Sequence, residues 1–193
     1  MADLSDVSNA LVTTIAGIVY PNGTGAGSIT GDPVKIYAGW PNAKQLTDDL
    51  AAGMVHVSIF PRPGDKVTIT NHGDWDEVTN NGTTGTAQIE LRRQTRQYQI
   101  TIWANCFDKR DPVAATIDAG LAGLSRLAMP DGTRAVLAYV NSSQIDDQQK
   151  AGIYRRDLFY AANYATTQTI TATPIATINI TTTAQFNGAI PTP

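Results

Sequence analysis

Hydrophobic and polar positions alternate most cleanly from Tyr98 to Ala104, where Tyr98, Ile100, Ile102 and Ala104 stand against Gln97, Gln99 and Thr101. A period of two marks a strand buried on one face. Upstream, Ile89 and Leu91 are apolar in the opposite phase. The pattern therefore flips across Arg92-Arg93-Gln94-Thr95-Arg96, which predicts a bulge or bend there. Past Trp103 and a polar run, Asp111-Pro112 reads as an acidic N-cap with proline at the first helical position. Val113, Ile117, Leu121, Leu124 and Ala128 follow at helical spacing. They would form one face of a helix about 25 Å long, stopped by Pro130-Asp131-Gly132. A long strand, a corner and a helix folding back on it, from Ala87 to Met129, form the predicted core.

The same patterning places the remaining elements. Leu4, Val7, Leu11, Ile15 and Ile18 recur at helical spacing opposite Ser5, Ser8, Asn9 and Thr13, and Tyr20-Pro21-Asn22-Gly23 ends that helix. Val34–Ala38 is a short strand running into Gly39-Trp40-Pro41. Asn42 then caps a helix that turns Leu46 and Leu50 inward, with Gly53 as its left-handed exit. Val55, Val57 and Ile59 share one face of a strand that Pro61 and Pro63 end; His56 falls on its exposed or interface side. Val67–Thr70 is a brief strand. Residues 72–86, with Asn80-Asn81-Gly82 as a favoured turn, read as a projecting loop or hairpin carrying Trp75 as an assembly contact. Arg134–Val140 is apolar on both faces, and a polar loop, Asn141–Gly152, joins it to Ile153–Ala165, where Tyr154, Leu158, Tyr160, Ala162 and Tyr164 share a face. Those two strands pair as an antiparallel hairpin. The fold class is α+β: a mixed, mostly antiparallel sheet flanked by two or three helices, with long hairpins. Residues 1–165 form the domain and residues 166–193 an extended C-terminal arm.

Composition narrows the function more by exclusion than by indication. Apolar residues at 42% of the 193 positions suffice for a core, while charged residues stop at 16%. A net charge of −3 disfavours a general nucleic-acid binder. The single Cys106 forms no internal disulfide and reads as a small core hydrophobe. No apolar run reaches membrane-spanning length, and Asp3 and Asp6 sit where a secretory signal needs positive charge.

Candidate chemistry is thin. His56 and His72 are the two histidines, too few for a convincing zinc set. Gly23, Gly25, Gly27 and Gly31 follow a helix and precede a strand, with no lysine until Lys35, which suits a surface loop rather than a phosphate cradle. Asp48-Asp49 and Asp146-Asp147 are adjacent carboxylates of the kind that is ordinarily solvated. No nucleophile elbow, His-Glu-x-x-His or complete Walker sequence occurs. An enzyme is not expected, nor are a cofactor or a metal site.

Two features point to contacts between molecules. Arg92, Arg93 and Arg96 flank the phase flip while Arg155 and Arg156 lie on the later hairpin. If the strands pair, the five would make one basic patch for carboxylate or phosphate. The plain alternative is solvation or pairing with Glu90, Asp157 and Asp108. Inter-subunit salt bridges fit the net negative charge better than DNA contact. The second feature is the tail: from Leu158 to Pro193 there is no charged side chain, and Ile170, Ile175, Ile178 and Ile180 are set among threonines. Such a β-prone, uncharged segment is hazardous in water. Either it folds back as an edge strand or it adds to a neighbouring subunit; we favour the second.

Gly39-Trp40-Pro41, the strand ending His56-Val57-Ser58-Ile59-Phe60-Pro61, and Arg92-Arg93-Gln94-Thr95-Arg96 leading into Ile100-Thr101-Ile102-Trp103-Ala104 then form an ordered set. With the N-terminal helix before them and the helix near Arg110-Asp111-Pro112 after, this order resembles small neck and tail-completion proteins of tailed bacteriophages. The resemblance is to the tail-terminator kind, including the ripcord proteins of contractile phages, and covers roughly residues 4–165. It implies a structural virion subunit, assembled in the host cytoplasm, that forms a sixfold ring at the head-proximal end of the tail. Its partners would be itself and the tail tube, sheath or head-tail connector, with DNA only as cargo through the ring and no membrane. The competing reading is a DNA-contacting connector or baseplate component using the arginines, and after it an unrecognised enzyme.

Overall fold

The structure is a computed structural model and describes residues 3–68, 77–80, 85–124, 126–145 and 151–172. Trp75, His72, Asp146, Asp147, Ile175, Ile178 and Ile180 lie outside these residues. The fold is α+β. Three helices, α1 (Leu4–Val19), α2 (Ala43–Ala51) and α3 (Phe107–Ala122), accompany strands β1 (Val34–Ala38), β2 (Val55–Thr68), β3 (Glu77–Asn80), β4 (Gly85–Ala104), β5 (Arg126–Ala128), β6 (Arg134–Ile145) and β7 (Tyr154–Ala172). The sheet runs β1-β2-β4-β7-β6-β5, with β3 paired to β4 off that path. The β1–β2 pair is parallel and the other pairs are antiparallel.

β4 is the axis of the molecule, as its alternation predicts. Tyr98, Ile100, Ile102 and Ala104 are fully buried and meet Val57 and Ile59 of β2 and Leu158, Tyr160 and Ala162 of β7. α1 and α3 close this face with Val7, Leu11 and Ile15 and with Val113, Ile117 and Leu121. α1 is set by a capping box in which Asp3 accepts from the Ser5 and Asp6 amides and Asp6 accepts from the Asp3 amide. Ser8, expected on the polar face, is buried and returns its hydroxyl to the Leu4 carbonyl at 3.0 Å. The helix-backed core takes β4 residues only from Tyr98 on and β7 residues only up to Tyr164. The remainder of these strands, with β3 and the end of β2, runs on past the core for on the order of 40 Å.

Several boundaries differ from the sequence reading. α3 starts at Phe107 with Cys106 as N-cap, so Asp111 is not the cap and Pro112 lies inside the helix. Cys106 is half-buried at this cap rather than a core residue. Tertiary contacts hold the extra turn although Pro112 forfeits the bond to the Asp108 carbonyl. Lys109 donates to the Gly53 carbonyl at 3.0 Å and pairs with Asp32 at 3.2 Å. The helix ends at Ala122, leaving Leu124 and Ala128 beyond it; Leu127 of β5 and Met129 after it take core places at strand period. β2 passes through Pro61 and Pro63 instead of ending there: Pro61 still pairs with Tyr98, and a register shift between Pro61 and Asp65 leaves Pro63 out of the ladder. The bulge in β4 falls between Glu90 and Arg92, at the edge of the expected stretch. Asn141–Ile145, read as loop, continues β6 beyond a shift at Val140. β7 runs past Ala165 to Ala172, pairing with β4 down to Gly85.

Candidate functional site

The strands that carry the five arginines do pair, but the register separates the arginines into two groups. Arg93 lies opposite Ala165 and Arg155 opposite Trp103, which puts the groups roughly 30 Å apart along β7. Each group is answered within the chain. Arg93 forks onto Glu90 at 2.9 and 2.5 Å and reaches Asn163 at 3.3 Å. Arg96 donates to the Arg62 carbonyl at 2.9 Å. Arg92 is exposed, and its Nε donates to the Thr166 hydroxyl at 3.4 Å. At the other end Arg155 forks onto Asp157 at 3.0 and 2.9 Å, and Arg156 lies 3.7 Å from Asp111, which takes the place expected of Asp108. Ile170 is on the extended part of β7, partly exposed.

The face of the sheet turned away from α1 and α3 holds a constellation that sequence spacing does not reveal. Register sets His56, Trp103 and Arg155 side by side, then Ser58, Thr101 and Asp157, then Phe60, Gln99 and Phe159. Gly39, at φ 93°, donates its amide to the Ile59 carbonyl at 2.8 Å. That left-handed turn, open to glycine without strain, swings Trp40 back over β2. Trp40 stacks on Phe60 at 4.2 Å between centroids. The Arg155 guanidinium sits 4.9 Å over Trp103 and 5.8 Å from Trp40, while Asp157 beneath it accepts from Thr101 at 2.7 Å. Asp157 is thereby a buried carboxylate with its charge and hydrogen bonds met. α2 covers one end of this face with Leu46 and Leu50 against Trp103. Farther along, Trp40 is 59% and Val136 46% exposed.

Beside Trp40 is a pocket of about 170 Å³ lined by Lys35, Tyr37, Asn42 and His56 among others. His56 is buried, not exposed: its Nδ1 is 3.1 Å from the Tyr37 hydroxyl and its Nε2 3.0 Å from Asp49, which Lys35 also approaches at 3.3 Å. Asp49 is thus a paired carboxylate rather than a solvated one. The line Tyr37–His56–Asp49 has the spacing of a nucleophile, base and orienting acid, yet its electrostatics oppose that use. Burial, then the Asp49 charge, pushes the Tyr37 phenol up to about 12, away from the reactive phenolate. Burial lowers His56 below its ordinary value despite Asp49. Burial tends to raise Asp49, but its hydrogen bonds and charge contacts with Lys35 and His56 outweigh that and hold it low. This is a satisfied polar network that fastens α2 and β1 to β2. Among the described residues no group of three or more His, Cys, Asp or Glu is arranged to hold a metal ion.

No family profile matches the sequence, and no curated protein matches it. Solved structures do. The chain is similar to the sheath/tube terminator, in its extended state, of the extracellular contractile injection system PVC, with a TM-score of 0.50 at 14% identity over 98% of this chain. It spans 66% of that terminator's length, just under two thirds. It is also similar to a chain of the virion of a native gene transfer agent particle, at TM-score 0.44 and 17% identity, over 84% of this chain and 96% of that one. At such identities the likeness to the terminator is one of fold: this chain has a tail-terminator-like fold.

Proposed function

We propose that the protein is a structural subunit of a tailed phage or phage-like particle. It forms a ring at the head-proximal end of the tail, completes the tube or sheath there and joins it to the neck. The observation that carries this reading is the likeness to a sheath/tube terminator along nearly the whole chain, 98% of it. Physical features support it. A closed ring is built from head-to-tail contacts between unlike surfaces of one subunit, and this chain offers several candidates: the extension of β4 and β7 past the core, the exposed sheet face around Trp40, and the uncharged C-terminal arm. The arginines, paired largely within the chain, fit internal bracing rather than a phosphate track. Six copies, contacts to tube, sheath or connector, DNA passing through the ring, and a place in the virion complete the proposal. Electron microscopy of the purified protein, alone and mixed with tail tubes, is the direct test. Rings that decorate one tube end are the expected result; monodisperse monomers that ignore tube ends at high concentration would remove the reading.

A further inference from the structure

Resting on the ring reading, we infer that the outer edge of β6 from Leu137 to Ser143 is the acceptor for residues 173–193 of a second copy of this chain. β5 pairs with β6 only at Arg134–Val136, so among the described residues no strand covers the outer side of β6 beyond that point. Free edges are normally guarded by charge, proline, a bulge or a covering element; of these the outer part of β6 has only the register shift at Val140. From Ala135 to Ile145 there is no charged residue and no proline. The edge is also greasy: Tyr139 is 51% exposed and Val140 39%. Residues 173–193 have the complementary composition. They too are uncharged, and Ala176, Ile178 and Ile180 alternate with Thr177, Asn179 and Thr181, a strand pattern with one apolar face to lay against Tyr139 and Val140.

The occupant is a second copy because the same chain reaches this edge badly. β7 ends at Ala172, opposite Gly85, and Leu137 lies opposite Ala162. An arm returning within its own chain would retrace about 33 Å before pairing, out of the about 70 Å that residues 173–193 span when fully extended. It would have to pass β5, and it would run parallel to β6, the weaker pairing direction. An arm from a neighbour escapes all three restraints and is free to run antiparallel.

Hydrogen exchange on the full chain tests this. At concentrations where the protein assembles, the amides of residues 137–143 should exchange slower by on the order of tenfold or more than in a chain truncated after Ala172, and dilution of the full chain should remove the difference. Equal exchange in both chains, or protection independent of concentration, would overturn the assignment. Because truncation risks misfolding, a second arm uses full-length Cys106→Ser chains, half carrying Ser142→Cys and half Thr181→Cys, differently tagged. A disulfide joining the two tags is expected; no mixed product under oxidation overturns the inference. Rings by microscopy with β6 exchange unchanged would sink the edge assignment and leave the ring reading standing, whereas loss of the rings themselves removes both.

Discussion

At position 56 an imidazole lies buried between the Tyr37 phenol and the Asp49 carboxylate, and its protonation is tied to folding. Burial holds the folded His56 below its ordinary value of 6.5. As pH falls through about 6.5, the unfolded chain takes up a proton that the folded chain still refuses. The stability from a neutral His56 is therefore complete above pH 6.5 and is lost as pH falls through the folded value. In a His72→Gln background, the urea midpoint should drop as pH falls below about 6.5, and His56→Gln should flatten that drop while lowering the midpoint at pH 8. An unchanged slope in His56→Gln would assign the titration elsewhere. The burial of His56 was illegible in the sequence. Alternation correctly placed it off the Val55–Ile59 face, but that face's opposite is covered here by Asp49 from α2 and Tyr37 from β1, which no local pattern links. Arg155 and Trp40 were legible as residues and not as a pair, since Gly39's turn brings them together.

Elements were read well where one period ran unbroken and poorly where chemistry at the ends competed with it. α1, β1, α2 and the start of β2 fall where patterning and caps put them. In α3 the Asp111-Pro112 pair imitates a start signal, but the Lys109 contacts with Gly53 and Asp32 hold one more turn ahead of it. At its other end Leu124, three residues after Leu121, keeps a helical spacing by coincidence, after the helix has ended at Ala122. Prolines misled in β2 because a bulge can absorb them. The helix boundary makes a test. Leu121 is 1% exposed in the core and Leu124 only packs against its rim. Leu121→Ala should cost about 2–5 kcal/mol in a denaturation experiment, and Leu124→Ala roughly 1 kcal/mol. Equal costs would put both leucines on one continuous helix face after all.

For the whole molecule, the split of the arginines decides between two kinds of assembly force. Had the five converged, as pairing of their strands suggested, they would make a patch able to hold a phosphate backbone. Register instead keeps three of them midway along β4 and two at the start of β7, with Glu90, Asp157 and Asp111 beside three of the five. Among the described residues, Trp40, Ile170 and the β6 edge offer a neighbour uncharged surface. Backbone pairing and apolar burial respond weakly to ionic strength, while contacts between exposed charges are screened within about 10 Å at 0.1 M salt. The ring population, measured by sedimentation velocity, should therefore change little between about 50 and 500 mM sodium chloride. Retention on DNA should be weak even at low salt, because the arginines are largely paired within the chain; a protein that neutralises six phosphates would instead start tight and lose on the order of a thousandfold in affinity between about 50 and 200 mM salt. Rings that dissolve over this range would show that Arg92 and its fellows bridge subunits after all, and tight, steeply salt-dependent DNA retention would move the chain from tail completion to a DNA-contacting connector.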